Sequence, residues 1–166
     1  SSAASDVYKR QEEGRAELTP RDFGILMHRV FENAATTDEI YTAIEAMTQD
    51  GVLDEKEAPR LRELVEKALA DPVTAEWFGG RWQVVRNENE IILPGSGTTR
   101  RPDRVMTDGE RAVVVDYKFG DRETARHRKQ IREYLRLLRQ MGYTRTEGYL
   151  WYVRLGRTER VEEKED

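Results

Sequence analysis

The sequence predicts an α/β sandwich with a mixed central sheet, preceded by a helical region. Three observations lead there. Apolar residues recur at helical spacing as far as Trp77, the period shortens to strand alternation after Gly79, and one more helical stretch separates the last two strands.

Taken in order, residues 1–18 are polar and without period, and read as a linker or arm. Thr19-Pro20-Arg21-Asp22 supplies an N-cap, a proline at the first helical position and an acid at the third. Phe23, Met27, Val30, Phe31 and Ala34 then share one face. Thr36 with Glu39 opens a second helix, which carries Ile40, Ile44 and Met47 and stops near Gly51. Asp54 with Glu57 opens a third, with Leu61, Leu64, Val65 and Ala68 as its stripe. Asp71-Pro72 opens a short fourth reaching Trp77.

Beyond Gly79, RWQVVRNENEIIL and RPDRVMTD read as half-buried strands, and Val113-Val114-Val115 as the centre of a fully buried one. Thr107-Asp108-Gly109 marks a hairpin turn between the second and third of these. A helix with Ile131, Leu135, Leu138 and Met141 on one face ends at Gly142, and TEGYLWYVRL returns as a strand, a β-α-β crossover. The predicted domain is 19–156, with a helical part at 19–78 and a sheet core at 79–156. Residues 157–166 read as a flexible acidic tail.

Composition narrows the function. The chain has 166 residues, 37% hydrophobic and 36% charged, with a net charge of −4, which suits one domain with a lean core and solvated faces. There is no cysteine, so disulfides and thiolate zinc sites are excluded, in keeping with a reducing cytoplasm. No apolar run approaches the ~20 residues that span a bilayer, and the N-terminal stretch has no signal-like apolar segment. The expectation is a cytoplasmic protein without a membrane partner. Charge is unevenly spread: residues 100–145 hold thirteen Lys/Arg against seven Asp/Glu. A basic segment inside an acidic protein can guide a polyanion, because fields act over roughly a Debye length of ~10 Å. The plainer alternative is that these arginines only solvate a helix.

The chemistry concentrates in Pro102-Asp103, twelve intervening residues, then Asp116-Tyr117-Lys118. Side chains alternate along a strand, so Asp116 and Lys118 share a face and Tyr117 points away. The hairpin brings Asp103 to the same place. Two hard oxygen donors suit Mg²⁺, with Mn²⁺ as a substitute, since such ions need few protein ligands and keep several waters. The metal would polarise a scissile phosphate, and Lys118 would orient water or stabilise charge on phosphoryl oxygens. The competing structural reading is a surface Asp–Lys pair at the end of a buried strand, which stabilises little.

The string RPDRVMTDGERAVVVDYKFG resembles the nuclease core of the RecB and AddA helicase-nucleases: an Asp followed by Arg, a hairpin, then Val-Asp-Tyr-Lys. Gly24-Ile25-Leu26-Met27-His28 is similar to that family's Gly-x-x-x-His helix, and Gln130 with Tyr134 to its Gln-x-x-x-Tyr motif. Glu88 stands where the family often has a glutamate, although Glu90 competes for the position.

The resemblance implies a restriction-endonuclease-like fold of the PD-(D/E)xK class, with Asp103, Asp116 and Lys118 catalytic. It also implies that His28, Asp103, Asp116 and the Tyr117 carbonyl hold the metal. Gln130 and Tyr134 would contact the DNA backbone or support Lys118 and the carboxylates. Read from the helix alone, His28 lies at the margin of the apolar stripe and would make an ordinary hydrogen bond. Arg126 and Lys129 are the candidate phosphate contacts, and His127, among basic neighbours, is expected to face phosphate or solvent.

No G-x-x-x-x-G-K-[ST] string is present, so a motor would have to come from elsewhere in a parent chain or complex. Phe119-Gly120 replaces the more usual Thr-Gly after the lysine. The expectation is an excised or free-standing nuclease domain that cuts single-stranded DNA ends delivered by a helicase in double-strand break repair and recombination. Two other readings differ in kind: a non-catalytic DNA- or partner-binding module on the same fold, and a restriction or junction-resolving endonuclease.

Overall fold

A computed structural model describes residues 17–87, 91–92, 99–119 and 125–164. They fall into two compact units, one ending at Gly80 and the other beginning at Arg81.

The first unit is helical, and its ends are set by caps. In α1 (Pro20–Glu32) the Thr19 hydroxyl accepts from Asp22 N at 3.1 Å and the Asp22 carboxylate accepts from Thr19 N at 2.9 Å, which satisfies two otherwise orphan donors. In α2 (Thr37–Gln49) the Thr36 hydroxyl accepts from Glu39 N at 3.3 Å, while Glu39 turns back to Ala35 N at 2.6 Å. Asp54 Oδ1 accepts from both Lys56 N and Glu57 N at 2.8 Å ahead of α3 (Glu57–Ala68), and Asp71 caps α4 (Pro72–Trp77). The core joins Phe23, Leu26, Met27, Val30 and Phe31 of α1 to Ile40 and Ile44 of α2 and to Leu61 and Val65 of α3. Phe78 closes the unit, its ring 5.5 Å from that of Phe31. One sequence expectation changes here: Leu64 is 37% exposed, and the covered stripe of α3 runs through Ala58, Leu61, Val65 and Ala68, with Leu64 at its edge.

The second unit is a sheet covered by one long helix. Its strands are β1 (Val84–Asn87), β4 (Arg104–Asp108), β5 (Arg111–Lys118), β6 (Arg145–Tyr152) and β7 (Arg157–Val161), hydrogen-bonded in the order β1-β4-β5-β6-β7. A separate two-stranded piece pairs β2 (Ile91–Ile92) with β3 (Thr99–Arg100). The sheet is mixed: β5 and β6 are parallel and joined through α5 (Ala125–Gln140), and every other pair is antiparallel. The α/β architecture with a mixed sheet is therefore the one the sequence predicts. Asp108 opposes Arg111 across a two-residue turn whose Gly109 has φ 59°, a left-handed conformation that glycine adopts without steric cost.

Two further expectations are corrected. Met141 lies just past the end of α5 and is 64% exposed, while Tyr134 and Leu137 join Ile131, Leu135 and Leu138 in the buried face. The stretch expected to be a flexible acidic tail over 157–166 contains β7. Backbone pairing from Gly148–Val161 to Tyr152–Arg157 anchors it, Val161 enters the core, and Glu159 and Glu163 make ion pairs with Arg128 and Arg139 of α5. Among the described residues no helix is long and apolar enough to cross a membrane.

The seating of α5 depends on Gly148. A Cβ there would lie 2.4 Å from Ile131 Cγ2 and 3.2 Å from both Leu135 methyl carbons, so the missing side chain is what lets the helix touch the sheet. Gly148→Ala is expected to lower stability by about 1–3 kcal/mol through overpacking, read from urea unfolding curves. Parent-like stability would show that α5 is not held there.

Candidate active site

The hairpin places two acids side by side. Arg104 opposes Val115 across the β4–β5 ladder, and continuing that register one residue brings Asp103 opposite Asp116. Each acid accepts from a backbone N–H of the other's strand: Asp116 Oδ1 from Asp103 N at 3.0 Å, and Asp103 Oδ2 from Tyr117 N at 2.7 Å. This reciprocal pair fixes both carboxylates without using their remaining lone pairs. Lys118, two residues further on the same face, holds its Nζ 3.9 Å from Asp116 Oδ2, too long for a hydrogen bond but close enough for attraction. Asp116 is 4% exposed and Lys118 is half-buried. Burial first, and the neighbouring Asp103 carboxylate second, push the Asp116 carboxyl up to about 6, against the Asp103 N–H and Lys118, which favour its charged form.

The reverse face of the same strands is a support. Tyr117 is buried, its ring edge-on to Trp151 at 5.6 Å, and burial raises its phenol well above the ordinary range. Beside it Arg104 is fully buried. Its Nη1 donates to Asn87 Oδ1 at 3.2 Å, its Nε lies 3.3 Å from Met106 Sδ, and its charge acts on the neighbouring Tyr117 phenol. The residues alternating with Asp103 and Asp116 thus clamp β4 to β5 from behind. Strand alternation alone does not mark Arg104 for this; an arginine within Arg-Val-Met, opposite the Val run, is the available signal.

The other expected residues fall as follows. Gln130 Nε2 donates to the Tyr134 hydroxyl at 3.0 Å, and Tyr134 is fully buried in the core beneath α5, so it has no surface to offer DNA. Arg126 and Lys129 are exposed at the start of α5, whereas Arg128 is engaged by Glu159. His28 belongs to the helical unit, half-buried on α1, with Nδ1 3.6 Å from Glu32 Oε2 one turn on and with buried Gly24 one turn before. Glu88 and Glu90 lie outside the described residues. His127 is half-buried rather than turned to solvent.

The donor set suits a hard divalent cation. Two fixed carboxylates, one of them costly to charge where it stands, gain from a cation between them, and Mg²⁺-type ions bind through one or two carboxylates and water. Among the described residues no group of three or more His, Asp or Glu is assembled.

A paired acid dyad and a lysine thus stand together at the end of a central strand hairpin, on a mixed sheet backed by a crossover helix, in a D…D-x-K arrangement. A family model described as the PD-(D/E)XK nuclease superfamily matches residues 4–166, and the chain belongs to that superfamily. Its members are usually nucleases that use divalent metal ions. No curated protein matches the chain.

Proposed function

We propose that this chain is a Mg²⁺-dependent deoxyribonuclease of the helicase-nuclease type, a cytoplasmic domain that hydrolyses single-stranded DNA ends in double-strand break repair and recombination. The observation that carries the nuclease reading is the reciprocal Asp103–Asp116 lock beside Lys118. The helicase association rests on the likeness of Gly24-x-x-x-His28, Val115-Asp116-Tyr117-Lys118 and Gln130-x-x-x-Tyr134 to RecB and AddA.

In this reading Asp103, Asp116 and the Tyr117 carbonyl hold the cation, and His28 joins them on the strength of the resemblance alone. When bound, the cation supplies Lewis acidity to a phosphoryl oxygen and favours deprotonation of water. The chain does the rest. Asp116, kept from solvent, holds its position through the Asp103 N–H. Lys118 orients the attacking water and meets negative charge as the water oxygen bonds to phosphorus and the ester bond to the leaving oxygen breaks. Gln130 holds the Tyr134 hydroxyl within the first turns of α5. Arg126 and Lys129 contact backbone phosphates, which gives affinity that falls with salt and carries little sequence information.

The test is incubation with end-labelled linear and circular single-stranded DNA, with Mg²⁺ or with EDTA. Mg²⁺-dependent shortening of the linear substrate, with the circle spared, is the expected result. Cutting of circles would favour a restriction-like or junction-resolving endonuclease. DNA binding without cleavage at saturating Mg²⁺ or Mn²⁺ would favour a non-catalytic module.

A further inference from the structure

His127 stands on the sheet-facing side of α5, one turn before Ile131 and three residues before Gln130. Because β5, α5 and β6 form a parallel crossover, α5 begins at the end of the sheet where β5 finishes and runs back against the strands. Ile131 lies directly over Gly148. One helical turn toward the start of α5 covers ~6 Å, and two strand residues cover about 6.6 Å, so His127 falls over the row formed by Leu150 and Asp116, next to that of Tyr152 and Lys118. Its Nδ1 is buried, and of the charged groups acting on it Lys118 is foremost, ahead of its own neighbours Arg126 and Arg128. Burial and these three cations lower its pKa, so the imidazole is neutral near pH 7.

We propose that His127 is a positioning residue for the nuclease reaction, its imidazole walling the α5 side of the Lys118 ammonium so that the lysine stays turned toward Asp116. The inference rests on the nuclease reading above. Lysine is long and flexible, and holding it costs rotamer entropy. Its attraction to Asp116 at 3.9 Å is loose. A neutral ring beside it restricts the side chain without drawing the ammonium away, as a carboxylate would, and without adding a rival positive charge at the phosphate.

The experiment is a double-mutant cycle on the full chain, measured by single-turnover cleavage of linear single-stranded DNA. His127→Ala is expected to lower the maximal rate about tenfold, since a displaced catalytic group costs up to ~10². The KM for DNA and the affinity for Mn²⁺ should be unchanged. In a Lys118→Ala background the same substitution should cost nothing further, because the wall has nothing left to hold. His127→Phe, a neutral ring of similar size, should recover most of the rate and guards against loss of fold in the alanine variant. His127→Glu should lose more than alanine by capturing the ammonium. A loss that adds fully to that of Lys118→Ala overturns the proposal, as does one expressed as a raised, salt-dependent KM, which would mark a phosphate contact. An inactive parent protein overturns the nuclease reading and this proposal with it; an active parent with additive losses overturns this proposal alone.

Discussion

Lys118→Ala is expected to slow cleavage by on the order of 10²–10³, the usual loss on removing one group that meets charge in a transition state, while metal and DNA affinity stay close to those of the parent. The geometry separates these roles. The ammonium lies 3.9 Å from Asp116 Oδ2, so it is drawn toward the acids without being bonded to them. The acids themselves are fixed by backbone N–H groups that the substitution leaves in place. An interaction made only as charge develops lowers the maximal rate and leaves binding alone. Lys118→Arg should rescue little, because a planar guanidinium cannot take the place of a compact ammonium and does not give up a proton. Single-turnover kinetics at saturating Mg²⁺, with Mn²⁺ titration calorimetry beside them, read the two effects separately. Near-parent cleavage by Lys118→Ala would remove the lysine from the mechanism.

Much of the frame that carries Lys118 is legible in the sequence because it is set by local chemistry. Thr19, Thr36 and Asp71 are short side chains that cap helix starts wherever they precede a helical pattern, and all three do so here. Gly109, just after Asp108, opens a tight two-residue turn, and a tight turn fixes the register that sets Asp103 against Asp116. What escaped the sequence depends on partners distant in the chain. Arg157–Val161 reads as a charged tail since only Val161 is strongly apolar, yet the exposed edge of β6 offers unpaired N–H and C=O groups, and pairing with them outweighs weak patterning. Arg104 reads as a surface cation in an alternating strand. Its burial goes with the hydrogen bond it makes to Asn87, seventeen residues away. His127 reads as one more member of a basic run, and only the seat of Ile131 on Gly148 turns it toward the sheet.

Asp116→Asn should abolish cleavage and, in the absence of metal, make the protein more stable at neutral pH. The acid's folded pKa, about 6, lies above its ordinary value of 3.8. A carboxyl raised in this way binds its proton more tightly folded than unfolded, so stability falls as pH rises between these two values. The cost is absent below pH 3.8, grows through the window and is fully present above pH 6. At 1.36 kcal/mol per pH unit its ceiling is on the order of 3 kcal/mol, a figure already net of the attraction to Lys118. Asparagine keeps an Oδ1 to accept from Asp103 N and has no charge to bury, so the cost disappears with the substitution. In EDTA, urea unfolding at pH 7.5 should therefore find Asp116→Asn more stable than the parent, and at pH 3.5 the two should coincide. Adding Mn²⁺ at pH 7.5 should stabilise the parent and leave the variant unmoved, because only a charged pair gains from a cation held between its members. Equal stability at pH 7.5 in EDTA would show that Asp116 carries its charge without strain, and a variant stabilised by Mn²⁺ as much as the parent would place the metal elsewhere.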